Sequence, residues 1–165
     1  MYDNILVPTD GSEQAATAGG VAITLAEAFD AQLHAVFVQE TERWPFRLDD
    51  DETVELRRYG DETVSAVADQ AAEAGVRVRT RVLGDRGTVH GALLEYADGH
   101  DIDAIVMGTH GRTGVSRMLI GSVTEQLLRE STVPTVTVHE ETVFEWPVEE
   151  ILVPTDGSAT AHAAL

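Results

Sequence analysis

Cysteine is absent from this 165-residue chain, which excludes disulfides, thiolate zinc sites and cysteine nucleophiles. Lysine is absent too, since all 11 basic residues are arginine. No run of about 18 apolar residues occurs, so nothing reads as a membrane span. The first residues, Met1-Tyr2-Asp3-Asn4, carry no basic leader and pass straight into an apolar stretch. That pattern predicts no secretory signal and a cytoplasmic chain. What is abundant is negative charge: 29 acidic residues give a formal net charge of −18. Such a surface repels the phosphates of nucleic acids and anionic membranes, so neither is an expected partner. The hydrophobic fraction of 43% suits one globular domain with a sizeable core.

The acids are dispersed rather than gathered in a tail, the longest run being Asp49 to Glu52. A dispersed acidic surface without lysine suits concentrated salt, where screening weakens self-repulsion. The reading is a halophilic protein, against the alternative of an acidic mesophilic one. The unfolding midpoint is therefore expected to rise from low salt to molar KCl, and equal midpoints would remove this reading.

Strand-like and helix-like segments alternate. Asn4–Pro8 is a short apolar strand ending in the turn cluster Thr9-Asp10-Gly11-Ser12. Asp10 or Ser12 can cap the Ala-rich helix predicted over Glu13–Phe29. Gln32–Val38 reads as a buried strand, and 39–50, with Trp44-Pro45, as a loop. Glu52–Ala74 has helical apolar spacing, closed by Gly75. Val76–Leu83 alternates strictly, which marks an edge strand or one wet face. Thr88–Asp98 is a helix, Asp103–Met107 a strand, about Val115–Glu130 a helix, and Thr135–Val138 the last strand. Apolar strands separated by helices predict a three-layer α/β/α sandwich around a mainly parallel five-stranded sheet of Rossmann-like type. Ligands of such sheets bind beyond the carboxyl ends of the strands, where strand order reverses. The loops after residues 8, 38 and 107 lie at such ends.

The octapeptide Ile5-Leu6-Val7-Pro8-Thr9-Asp10-Gly11-Ser12 recurs unchanged at 151–158. The predicted organisation is a domain over 1–141, a linker over 142–150, and over 151–165 the strand and partial first helix of a truncated second copy.

Gly108-Thr109-His110-Gly111 follows an apolar strand, and Gly121-Ser122 precedes a helix. Glycine lets backbone approach a ligand closely, successive N–H groups form an anion nest, and a helix N-terminus adds donors and a favourable dipole. The Ser122 hydroxyl is a further donor, and Arg112 and Arg117 supply cations suited to phosphate. The pattern is neither a Walker A loop nor a dinucleotide fingerprint, because the lysine and the GxGxxG are missing.

The spacing G-x2-G-x9-G-[ST], filled by Gly108, Gly111, Gly121 and Ser122, resembles the ATP-binding motif of the universal stress protein (UspA-like) family. The opening ILVPTDGS, the run IVMGTHGRTG and the closing VPTVTV are similar to that family as well, and the resemblance covers about residues 1–140. It implies the adenine-nucleotide alpha-hydrolase-like fold; with the repeat at 151–158 and the dispersed acidic surface, the reading is a tandem-type, haloarchaeal member. It also implies a nucleotide site in which Asp10, beside Pro8 and Thr9, meets the sugar and Val38 meets adenine. Gly108, Gly111, Gly121 and Ser122, beside Val123, would hold the phosphates, with Met107, His110 and Arg112 adjoining. Mg2+ or Mn2+ would accompany ATP, and a homodimer would form through the strand 134–138.

Competing readings weigh against catalysis. Asp10 is also a plausible helix cap, and His110 reads as a loop residue beside the ligand rather than a general base. Ser122 has no base at motif spacing to make it a nucleophile. Asp101 and Asp103 read as solvated acids at the opposite end of the sheet. His34, His90, His100, His139 and His162 lack metal-ligand spacing. Trp44 and Phe46 read as packing residues. The leading expectation is a non-catalytic or very slow ATP-binding stress-response module. The alternatives are a nucleotide-independent dimerising module and an ATPase or nucleotidyl transferase.

Overall fold

A computed structural model describes residues 2–40, 50–84, 87–111, 120–153 and 155–158. Its elements are β1 (Asn4–Pro8), α1 (Glu13–Phe29), β2 (Gln32–Val38), α2 (Asp50–Glu73), β3 (Val78–Leu83), α3 (Val89–Gly99), β4 (Ala104–Gly108), α4 (Ser122–Glu130) and β5 (Thr135–Val138). All strand pairs are parallel, in the order β3-β2-β1-β4-β5. The parallel five-stranded sheet with helices on both faces matches the architecture expected from the alternating pattern. Strand order reverses at β1, which lies between β2 and β4.

Period-2 side-chain alternation splits the core into two layers. Ile5, Val7, Leu33, Ala35, Phe37 and Val106 pack on one face, under α1 and α2. Leu6, Val36, Ile105 and Met107 pack on the other with Leu93 and Tyr96 of α3 and Leu127 of α4. Ile5, Leu6 and Val7 are at most 1% exposed, so β1 is sealed on both faces. β3 is an edge strand whose Arg79 and Arg81 are exposed, as its strict alternation implied. α1 begins at its N-cap Ser12, whose side chain accepts the Ala15 N–H at 3.2 Å. It ends at Asp30, which takes the left-handed conformation at φ 53°.

Some sequence expectations need correction. β3 starts at Val78 rather than Val76. α2 starts at Asp50, two residues earlier than expected, whereas the rest of the predicted loop (41–49, with Trp44 and Phe46) lies outside the described residues. α4 starts at Ser122, so the helix expected from about Val115 is interrupted at 120–121, and 115–119 lie outside the described residues. Gly121 is extended there (φ −62°, ψ 148°), and its N–H donates to Thr109 O at 2.8 Å instead of to a helical partner. Asp103, expected as a solvated acid, has a structural role as well: its Oδ2 accepts the N–H groups of Asp3 (2.8 Å) and Asn4 (3.0 Å), fixing the start of β1.

His34 is 1% exposed in the face under α3. Its Nδ1 lies 3.0 Å from Tyr96 Oη, and the His100 ring stacks on Tyr96 with centroids 3.9 Å apart. Burial first, then the charges of Arg79, His100 and Arg81, hold the His34 pKa down at about 4, from an ordinary 6.5. The folded chain keeps His34 neutral where the unfolded chain protonates it. That contribution to stability is complete above pH 6.5 and is lost as pH falls towards 4. Urea unfolding across this window should show a steeper acid loss for the parent than for His34→Gln. Parallel curves would contradict the assignment.

Candidate functional site

The site forms where β1, β2 and β4 end together, beside the strand-order reversal. β1 hands over to its loop without a break in the ladder: the N–H of Thr9 donates to Val36 O at 2.9 Å. Asp10 then folds an Asx turn, its Oδ1 accepting the Ser12 N–H at 3.0 Å. Gly11 sits at φ +81°, a conformation glycine adopts without a Cβ penalty, and an added Cβ would collide with Tyr59 Oη. That Tyr59 hydroxyl donates to Asp10 O at 3.1 Å, so α2 clamps the loop from outside. The Asp10 carboxylate also faces the loop after β4, because a Cβ on Gly111 would lie 2.6 Å from Asp10 Oδ2.

The β4 side is built around absent side chains. A Cβ on Gly108 would lie 3.1 Å from Gln14 Cβ and 3.1 Å from His110 O, so Gly108 lets β4 pass close under the first turn of α1. The buried Thr124 hydroxyl donates to Gly108 O at 2.9 Å, binding α4 to the end of β4. With the bond from Gly121 N–H to Thr109 O, the two glycine arms of the loop are held side by side. Gly121 caps α4 without a side-chain hydrogen bond. The first N–H groups of that helix therefore have no competing side-chain acceptor at the cap, which is the usual arrangement for receiving an anion. His110 Nδ1 lies 3.1 Å from Thr109 Oγ1.

These segments enclose a cavity of about 160 Å³. Pro8, Thr9 and Asp10 line it from the first loop, Val38 from β2, and Met107, Gly108, His110 and Gly111 from β4 and its loop. Gly121, Ser122 and Val123 line it from α4. The residues expected from the sequence to form the nucleotide site thus meet at one cavity, except Arg112, which with Arg117 lies outside the described residues. Sequence reasoning missed Ala15, Val36, Glu40, Val89, Leu93 and Thr124. Val36 was legible as the same-face neighbour of Val38, and Val89 and Leu93 as an i,i+4 pair on α3. Glu40 and Thr124 gave no such signal. The lining is divided: Val36, Val38, Val89, Leu93 and Met107 offer an apolar slot, while Gly108, Gly111, Gly121 and Ser122 offer backbone and a hydroxyl. No group of three or more His, Asp or Glu that could hold a metal occurs among the described residues. No described helix is long and apolar enough to cross a membrane.

Comparison with known proteins points one way. The profile of the Universal stress protein family matches residues 1–139. A universal stress protein of Methanocaldococcus jannaschii is 35% identical over 146 residues, covering 85% of this chain and 84% of that protein. A universal stress protein family member from Burkholderia pseudomallei superposes with a TM-score of 0.69 at 29% identity, over 82% of this chain and 95% of that one. A universal stress protein solved in complex with cAMP superposes with a TM-score of 0.63 at 26% identity, over 84% of this chain and 98% of that one.

Proposed function

We propose that this chain, which belongs to the universal stress protein family, binds an adenine nucleotide, ATP above all, in the strand-end cavity. The observation that carries the reading is the paired glycine cradle. Gly108, Gly111 and Gly121 stand where a Cβ would press on Gln14, Asp10 and Thr109, and they converge on the uncapped start of α4. The apolar slot between Val38 and Met107 suits adenine, Asp10 suits the ribose hydroxyls, and Ser122 with the α4 N–H groups suits the phosphates. The relative solved with cAMP supports an adenine ligand for this fold. A divalent ion, Mg2+ or Mn2+, would arrive with the triphosphate and keep phosphate and water ligands, since the described residues offer no cage for it. Asp10 and Glu40 are the carboxylates nearest to hand.

The proposed role is binding rather than turnover. The His110 ring lies beside a hydroxyl, Thr109 Oγ1 at 3.1 Å, but Thr109 is not among the residues that line the cavity, so the pair is not placed as base and nucleophile toward a bound ligand. Isothermal titration with MgATP tests the reading: saturable heat with a dissociation constant below the millimolar range is expected, and no binding at millimolar nucleotide would end it. Turnover above roughly 1 per second would instead favour an enzyme. A homodimer through 134–138 is part of the proposal, and the position of β5 at the sheet edge, with Val136 39% exposed, supports it. The same edge also supports the second reading, a dimerising module that works without nucleotide.

A further inference from the structure

The repeated octapeptide occupies opposite environments in its two copies. Ile5 and Leu6 are 1% and 0% exposed, while Ile151 and Leu152 are 79% and 91% exposed. Residues 151–153 form no strand. Yet the turn of the second copy is already folded like that of the first. Ser158 N–H donates to Asp156 Oδ1 at 2.8 Å, as Ser12 N–H does to Asp10 Oδ1 at 3.0 Å. Gly157 has φ +78° where Gly11 has +81°.

The path between β5 and the second copy explains where that copy starts. Glu140 accepts a hydrogen bond from Gln14 Nε2 at 2.8 Å, beside the beginning of α1. Phe144 packs against the core under α1. Trp146 meets the ring of Phe29 edge-on at 5.2 Å, at the last residue of α1, and Phe29 meets Tyr2 at 5.2 Å. The segment 140–146 thus runs the length of α1 and brings the chain back to the end of the sheet where β1 enters. Tyr2 and Trp146 share one aromatic cluster, and each is followed within a few residues by the same octapeptide.

We propose that 151–158 is an interchangeable first strand, able to fill the central slot in place of 5–12 within the same chain and to present Asp156 where Asp10 stands. The side chains are identical, so packing does not distinguish the occupants; the residues before them do. Asp3 and Asn4 give their N–H groups to Asp103, and Asn4 Nδ2 donates to Asp101 O at 3.2 Å. Glu149 and Glu150 precede the second copy and would bring two more carboxylates to Asp101 and Asp103. The first copy is also joined directly to α1 through Ser12. The resident strand therefore dominates, and the second copy takes the slot in a minor population.

The strand exchange does not depend on a ligand; the Asp156 half rests on the nucleotide reading above. The cysteine-free chain permits a direct test with Leu6→Cys in this 165-residue chain, the thiol-labelling rate reporting each exit of β1. Adding Ile151→Asp and Val153→Asp, at exposed positions, disables the second copy as a strand. Labelling should then slow about tenfold, because one route out of the slot is closed. Adding Glu149→Gln and Glu150→Asn instead should speed it. Equal rates with and without a competent second copy overturn the proposal, and a rate that rises with protein concentration overturns its within-chain form. For the site, Asp10→Ala should bind MgATP about fivefold tighter than Asp10→Ala/Asp156→Ala, since only the former keeps one complete loop to select. Equal affinities overturn the Asp156 half alone. Absence of nucleotide binding by the unsubstituted chain overturns the nucleotide reading and leaves the labelling result standing.

Discussion

Gly121→Val is expected to weaken MgATP binding about a hundredfold, close to 2.7 kcal/mol, while the unfolding midpoint moves little. A Cβ at 121 would stand 3.3 Å from Thr109 O, 3.5 Å from His110 Cα and 4.0 Å from Thr124 Oγ1. Those first two atoms belong to the opposite arm of the glycine cradle, and the Gly121 N–H is already bonded to Thr109 O at 2.8 Å. Two further methyl groups would drive the arms apart and withdraw the start of α4 from the phosphates. The backbone at Gly121 (φ −62°, ψ 148°) suits any residue, so strain in the dihedrals is not the cause. The effect is one of space, which gives a graded control: Gly121→Ala should cost far less, because a lone Cβ at these distances asks only for a small shift. Titration calorimetry on both variants, alongside their thermal unfolding, reads the result. Undiminished affinity in Gly121→Val would mean that the nucleotide does not use this cradle.

The sequence revealed the site more fully than the element boundaries around it. Thr9 and Asp10 of the turn cluster, the glycines at 108, 111 and 121 and the strand ends at 8, 38 and 107 each carry a local chemical reason, and they meet at one cavity. β1, α1, β2 and β5 were bounded from apolar runs and caps alone, because their signals are local: Ser12 before α1, uninterrupted apolar residues in β2. The start of α4 was not legible, since its N-cap is a glycine whose conformation is fixed by a backbone bond to Thr109, distant in sequence. The role of Asp103 is hidden for the same reason, its partners being Asp3 and Asn4 across the sheet. The Tyr59 clamp on Asp10 was equally hidden. It depends on α2 crossing the end of β1, and only the sheet order brings those elements together.

That clamp ties the core to the site, and Phe37→Ala should expose the link. Phe37 is 1% exposed on β2, under α2. It fills the place a side chain on Gly60 would need, a Cβ there lying 2.7 Å from Phe37 Cδ1. It also meets Tyr59 edge-on, with centroids 5.8 Å apart. Removing a fully buried ring costs about 3–5 kcal/mol, a large share of the roughly 5–15 kcal/mol that holds a domain folded. For a chain of this size that corresponds to a fall of roughly 6–20 °C in Tm. A loss under about 1 kcal/mol would show that the ring is not packed as described. The second consequence concerns the nucleotide. Tyr59 loses the ring that orients it, and its hydrogen bond to Asp10 O loosens, so MgATP affinity should drop a further few-fold at temperatures where the variant remains folded. Tyr59→Phe separates the two effects. It keeps the aromatic contact and removes only the hydroxyl, costing about 0.5–1.5 kcal/mol. If Tyr59→Phe lowers nucleotide affinity as much as Phe37→Ala does, the loss at 37 travels through the Asp10 clamp. If Phe37→Ala alone lowers it, the coupling runs through β2 and Val38 instead.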